Sequence, residues 1–357
     1  STDNGRTFTK YENNPVLVSE ARDFRDPKVF WYEGTKRWIM VLAVGQEMQF
    51  FSSPNLKDWT FESSFGKGHG AHGNVWECPD LFELPVEGTN EKKWVLLCSL
   101  GDGPFGDSAT QYFVGSFNGK EFVNESPSKT KWMDWGKDHY ATVTWSDAPD
   151  NRRIAIAWMS NWQYANDVPT SQYRSPNSVP RDLGLFTVDG ETYLQSAPSP
   201  ELLKLRDISK KRSFKVNGTR TIKDMIAGNE GAYEIELTIE NQHADVIGFR
   251  LYNDKGEEVD MQYDMKEKKF SMDRRKSGEV SFNENFPMLT WTAIESGKDE
   301  LKLRLFVDKS SVEAFGDGGR FVMTNQVFPS EPYTHIDFYS KGGAYKVDSF
   351  VIYKLKK

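Results

Sequence analysis

Pro27-Lys-Val-Phe-Trp-Tyr-Glu-Gly-Thr-Lys-Arg-Trp-Ile-Met-Val-Leu-Ala43 and Pro79-Asp-Leu-Phe-Glu-Leu-Pro-Val-Glu-Gly-Thr-Asn-Glu-Lys-Lys-Trp-Val-Leu-Leu-Cys-Ser99 are two copies of one pattern. In each, a proline opens a short strand, Glu-Gly-Thr makes a turn, and a Trp leads a second, apolar strand. An aromatic strand follows, Met48-Gln-Phe-Phe-Ser52 or Gln111-Tyr-Phe-Val-Gly115. A turn and a fourth strand close the unit, Lys57-Asp-Trp-Thr-Phe61 or Gly119-Lys-Glu-Phe-Val123. Four strands in a repeat of about 50 residues is the signature of propeller blades.

Working outward, a third unit is expected in His139-Tyr-Ala-Thr-Val-Thr-Trp145 and Arg153-Ile-Ala-Ile-Ala-Trp-Met159. A fourth, more degenerate one is expected from Ser178-Val-Pro-Arg181 through Tyr193-Leu-Gln195. Ser1 to Tyr11 matches only the last turn and last strand of a unit, so the chain reads as beginning inside a repeat, with most of a preceding blade missing. Past residue 205 the character changes. Ala232-Tyr-Glu-Ile-Glu-Leu-Thr-Ile239, Val246-Ile-Gly-Phe-Arg-Leu-Tyr252, Leu301-Lys-Leu-Arg-Leu-Phe-Val307 and Ser311-Val-Glu-Ala-Phe315 alternate with period two, as in an antiparallel sandwich. The expected domains are a partial propeller over residues 1–206 and a β-sandwich over residues 207–357.

Composition narrows the function classes. Aromatic residues are 14% of the chain and no long 3.6-residue stripe occurs, which points to an all-β protein. The net charge of −7, with no basic tract, gives no reason to expect a nucleic-acid partner. No apolar run reaches the roughly 20 residues of a membrane-spanning helix. Two cysteines, Cys78 and Cys98, are too few for a disulfide scaffold or a four-thiolate metal site, and read as free thiols. No metal-ligand cluster or phosphate-cradling glycine loop is found, so no cofactor is expected.

Two carboxylates stand near the openings of successive repeats: Asp26 directly before Pro27, and Glu77 two residues before Pro79. Blade-opening strands line a propeller's channel, so side chains there converge. Glycosidic cleavage needs such a pair, one carboxyl to protonate the leaving oxygen and one to stay ionised beside the developing cation. Arg25 next to Asp26 would hold that carboxylate ionised, while Trp76 and Cys78 would give Glu77 the apolar setting of an acid. Periodicity alone leaves a second reading open, a structural Arg25–Asp26 pair with Glu77 a solvated edge residue.

Arg25-Asp26-Pro27 and Trp76-Glu77-Cys78-Pro79-Asp80-Leu81-Phe82 resemble the Arg-Asp-Pro and Glu-Cys-Pro-Asp motifs of glycoside hydrolase family 32, the invertases, levanases and inulinases. Asp138-His-Tyr-Ala141, Trp158-Met-Ser-Asn-Trp162, Ser178-Val-Pro-Arg-Asp-Leu183 and Asp308-Lys-Ser-Ser-Val-Glu-Ala-Phe315 follow in the family's order. The resemblance implies a five-bladed β-propeller, its first blade largely missing here, followed by a β-sandwich. It also implies retaining hydrolysis of terminal β-fructosyl bonds of levan, inulin or sucrose. Glu77 would be the acid/base, Asp26 the transition-state stabiliser and Arg25 an orienting group, with Asp138 and Trp162 as subsite residues. His139 stands where relatives often carry an aromatic residue. A secreted or periplasmic location follows from that substrate class alone.

One departure matters. The family's nucleophile lies in an Asn-Asp-Pro-Asn-Gly motif, and this sequence has none; Asn14-Pro15 carries no carboxylate. Without a nucleophile the chain alone is expected to be nearly inactive, and a complementing N-terminal fragment becomes a candidate partner. The alternative is a fructan-binding protein or subunit without hydrolysis. Ser1-Thr-Asp-Asn-Gly-Arg-Thr-Phe8 also resembles the Asp-box turn of sialidases, but occurs once and lacks an arginine triad. Inverting five-bladed families acting on arabinan or xylan are nearer rivals, and would need a base at the same missing position.

Overall fold

A computed structural model of the protein describes residues 1–225, 231–294 and 301–356. Three antiparallel blades run along the first part of the chain. The first contains strands Phe24–Tyr32, Arg37–Val44, Glu47–Ser53 and Thr60–Phe65. The second contains Trp76–Pro85, Lys92–Gly101, Ser108–Phe117 and Phe122–Asn124, with Lys131–Trp132 added beside the third strand. The third contains Tyr140–Trp145, Ile154–Trp158, Arg181–Val188 and Glu191–Pro198. The expected third and fourth repeat units are therefore one blade. The long connection between Trp158 and Arg181 separates its two halves and had disguised them as two repeats. The strand expected near Thr7 is also absent, because Ser1–Asp23 forms turns and extended chain with no sheet partner among the described residues. Asp3 there caps its own turn, accepting hydrogen bonds from the Arg6 and Thr7 amides at 3.0 and 2.9 Å.

Aromatic and branched side chains face between blades. Ile39, Val41 and Phe50 of the first pack with Trp76, Leu96, Phe113 and Phe117 of the second. Phe82, Val95 and Leu97 pack with Leu183, Leu185 and Leu194 of the third. After a 3-10 turn, Pro200–Leu205, two six-stranded sheets form a sandwich. One sheet runs, in hydrogen-bonded order, Arg206–Val216, Tyr345–Leu355, Tyr233–Asn241, Leu301–Asp308, Ser311–Gly316 and Phe321–Gln326. The other runs Thr219–Ile222, His335–Lys341, Val246–Tyr252, Glu258–Asp264, Lys269–Lys276 and Leu289–Ala293. The architecture is thus propeller blades followed by a β-sandwich, as the resemblance implied.

The two parts are fused by main chain. Phe321–Gln326 is an edge strand, whose free amides and carbonyls need partners. The segment entering the third blade supplies them. Trp135 N–H donates to Val322 O at 2.8 Å and Asp138 N–H to Thr324 O at 3.1 Å. The Asp134 and Asp138 carboxylates accept from the Thr324 and Gln326 amides, each at 2.8 Å. Gly136 lies so close that an added Cβ would stand 2.0 Å from Thr324 O. Gly136→Ala must therefore push the edge strand away and should destabilise by about 1–3 kcal/mol. Gly184→Ala, whose Cβ meets nothing nearer than 3.5 Å, should be close to neutral. Urea unfolding of the two variants reads the difference.

Candidate active site

The opening strands of the three blades share one irregularity. Pairing to the second strand slips by one residue after Arg25, after Glu77 and after Tyr140. The residue that follows is left-handed in each case: Asp26 at φ 57°, Cys78 at φ 47° and Ala141 at φ 52°. Pro27 and Pro79, which have no amide to donate, suit such a break in the ladder. A one-residue bulge twists the strand and re-aims the side chain beside it. Arg25, Glu77 and Tyr140 are consequently equivalent positions, and all three side chains meet.

Glu77 is the hub. Its Oε1 accepts from Arg25 Nη1 at 2.7 Å, and its Oε2 accepts from the Tyr140 hydroxyl. Arg25 also pairs through Nη2 with Asp23, so one guanidinium ties two carboxylates together. Below the bulges the same strands are pinned again. Lys28 Nζ donates to Asp80 Oδ2 at 3.1 Å and to Thr144 O at 3.0 Å, and Asp80 Oδ2 takes the Thr144 hydroxyl at 2.6 Å. This lower ring fixes the strands that carry the upper one.

Two expectations are corrected here. Arg25 does not pair with Asp26; it reaches Glu77 and Asp23 instead. Neighbours along a strand point to opposite sides, and the left-handed turn at Asp26 carries its carboxylate to the next blade, where Oδ2 accepts the Cys78 amide at 2.9 Å. Nor is Glu77 in an apolar setting. The Trp76 side chain is buried in the inter-blade core, its indole N–H on Ala71 O at 3.0 Å, leaving Glu77 facing a guanidinium and a phenol. The structural counterpart of Glu77 in the first blade is Arg25, one residue before Asp26.

Trp162 is 56% exposed, its ring centroid 4.9 Å from that of Trp158. Trp158 in turn meets Tyr140 edge-on at 6.2 Å. An aromatic row thus leads from solvent to Glu77, with Trp162 at its outer end. Asp138 lies apart from that row. Its carboxylate is fully buried under the sandwich, ion-paired with Arg274 and accepting the Tyr164 hydroxyl at 2.5 Å. Sequence reading missed Tyr140, Asp23 and Trp158 as neighbours of the site. Tyr140 was findable by aligning the repeats on the residue before the bulge. Among the described residues no cluster of three or more His, Cys, Asp or Glu is placed to hold a metal ion.

Burial, then the Asp26 and Glu77 charges, push the Cys78 thiol up to about 12, and burial pushes Cys98 up as well. Neither is a nucleophile at neutral pH. Both should resist a chromogenic disulfide reagent at pH 8 in the native protein and react at once in denaturant. His139 is also buried; burial and the Arg181 guanidinium push its imidazole down to about 3. Unfolded, it would titrate near 6.5. Below that pH the unfolded chain takes a proton that the folded one refuses, so stability falls as pH drops towards 3. Between pH 7 and 4.5, His139→Gln should lose about 2 kcal/mol less stability than the parent in urea melts.

Comparison with known proteins bears on this geometry. The N-terminal domain of the glycosyl hydrolases family 32 matches residues 1–198, and the family's C-terminal domain matches residues 201–354. A levanase of Bacillus subtilis (strain 168) is 45% identical over 368 residues, covering 100% of this chain and 54% of the levanase. An extracellular exo-inulinase of Aspergillus awamori is 34% identical, over 99% of this chain and 70% of that protein. The crystal structure of exo-inulinase from Aspergillus awamori superposes with a TM-score of 0.90 at 32% identity, over all of this chain and 73% of that one. A β-fructofuranosidase from Schwanniomyces occidentalis, complexed with fructosyl-erythritol, superposes with a TM-score of 0.86, over all of this chain and 75% of its own. The chain spans about half the length of the Bacillus subtilis levanase.

Proposed function

Because the chain belongs to glycoside hydrolase family 32, we propose that it supplies the acid/base side of a retaining hydrolase of terminal β-D-fructosyl bonds in levan, inulin or sucrose. The observation that carries this reading is the convergence of Arg25, Glu77 and Tyr140 from three successive blades, with Asp26 one residue away and an aromatic row leading in.

Glu77 as a carboxylic acid donates its proton to the glycosidic oxygen. The C–O bond breaks with its electron pair going to that oxygen, and the fructosyl carbon becomes cationic. Glu77, now a carboxylate, later takes a proton from the attacking water. Asp26, its Oδ2 accepting the Cys78 amide, presents a carboxylate that steadies the sugar as positive charge develops. Arg25 orients Glu77 and the fructosyl unit, and half-exposed Trp162 offers a flat face to a sugar ring. Retention needs a second carboxylate about 5–5.5 Å from the acid. The Asn-Asp-Pro-Asn-Gly motif that would bring it does not occur in this sequence, so we propose that a complementing segment supplies the nucleophile.

The exposed face of Trp162 also fits a second reading, a fructan-binding protein without hydrolysis. Fructose release from levan, inulin and sucrose decides between them, measured on the chain alone and on the chain joined to a segment carrying the motif. The expected result is release by the joined form only, lowered about 10²–10⁴-fold by Glu77→Gln. Release by neither, with fructan still retained in affinity electrophoresis, would establish the binding reading instead.

A further inference from the structure

We infer that the β-sandwich sets the position of Glu77, acting through Tyr140 as a positioning residue. The inference rests on reading Glu77 as the acid, and it is carried by a continuous run of hydrogen bonds. Residues 134–138 are fixed to the sandwich edge strand Phe321–Gln326 by main chain, and Lys137 N–H adds a bond to Asn325 Oδ1 at 3.0 Å. Asp138 has no freedom left. Oδ1 takes the Tyr164 hydroxyl, and Oδ2 takes the Gln326 amide and the Arg274 guanidinium. Arg274 is itself fully buried, its Nε on Phe286 O at 2.8 Å, its Nη2 on the Tyr164 hydroxyl at 2.8 Å, and its Cζ 3.9 Å from the Phe286 ring centroid.

Tyr140 begins its strand two residues beyond Asp138, and the bulge at Ala141 follows at once. Its backbone is therefore set by the sandwich on one side and by a left-handed turn on the other. Its ring rests against Trp158, and its hydroxyl ends on Glu77 Oε2. Burial, with the Glu77 carboxylate, pushes the phenol pKa well up, so Tyr140 remains a donor at any working pH. An acid that must meet a glycosidic oxygen loses rate when displaced by a fraction of an ångström. Arg25 alone would leave Glu77 able to swing about its Oε1 contact; Tyr140 fixes the second oxygen, and the sandwich fixes Tyr140.

The test uses tyrosine labelled with 13C at Cζ, whose chemical shift follows the hydroxyl's hydrogen bond and needs no turnover. Tyr140→Phe assigns the Tyr140 signal, and Glu77→Gln gives its displacement when the carboxylate acceptor is changed. Tyr164→Phe and Arg274→Met, both made in the sandwich contact and confirmed folded by circular dichroism, are expected to move the Tyr140 signal in the same direction as Glu77→Gln. A Tyr140 signal that stays in place in the folded variants would overturn the inference. Should Arg274→Met fail to fold, Tyr164→Phe decides alone. In the joined, active form, Tyr140→Phe should lower kcat about ten- to a hundredfold with KM nearly unchanged. Adding Arg274→Met to it should cost little more, because the two act along one line. Full, independent losses from both substitutions would also overturn it. If instead Glu77→Gln left activity intact, the reading of Glu77 as acid would fall, while the Tyr140 signal would still report whether the sandwich holds that side chain.

Discussion

A sandwich sheet with an open edge, and a propeller segment that closes it, is the constraint on which the molecule turns. Two arginines are buried completely where the halves meet, Arg181 facing the carboxylates of Asp134 and Glu313 and Arg274 facing that of Asp138. Arg181 lies 2.8 Å from both Asp134 and Glu313, and so joins the third blade to the sandwich by charge as well as by main chain. Removing one partner by substitution would leave the other charge buried and unpaired at a cost of about 3–5 kcal/mol, so a change on either side of the seam is felt on the other. The consequence is one body in which the sandwich is as much part of the opening strand of the third blade as the blade itself.

From that fixed strand the site follows by repetition. Each opening strand slips by one residue at the same height, and each slip turns one side chain inward. The side chains differ: a fixed cation, a carboxyl and a phenol. Because they sit at one level of adjacent blades, they reach each other without long flexible arms. The lower ring of Lys28, Asp80 and Thr144 shows the same logic one step further along the strands.

Much of this was legible in the residues. Proline, Glu-Gly-Thr and Trp mark the blades because a strand start, a tight turn and an inter-blade filler each demand a particular chemistry. Arg25, Asp26 and Glu77 stood out for the same reason. The pairing among them did not, because period-two reasoning cannot see an extra residue in the ladder; one slip makes Arg25, and not Asp26, the counterpart of Glu77. The burial of Asp138 was not legible because its partner Arg274 lies 136 residues later, and no local pattern announces a buried ion pair between domains. The merging of two supposed repeats into the third blade was hidden by the long connection from Trp158 to Arg181, which breaks the count.

The threefold recurrence of the bulge says something about how such a centre arises. A backbone device that aims a side chain is harder to invent than the side chain itself, since it requires a strained residue, a broken ladder and a compensating neighbour. Duplicating a blade copies the device already working. Single-codon changes at the aimed position can then diversify the ring, one member becoming a charge, another an acid and a third a donor, while the framework stays untouched. Chemistry of this kind is assembled by spelling different letters into the same slot.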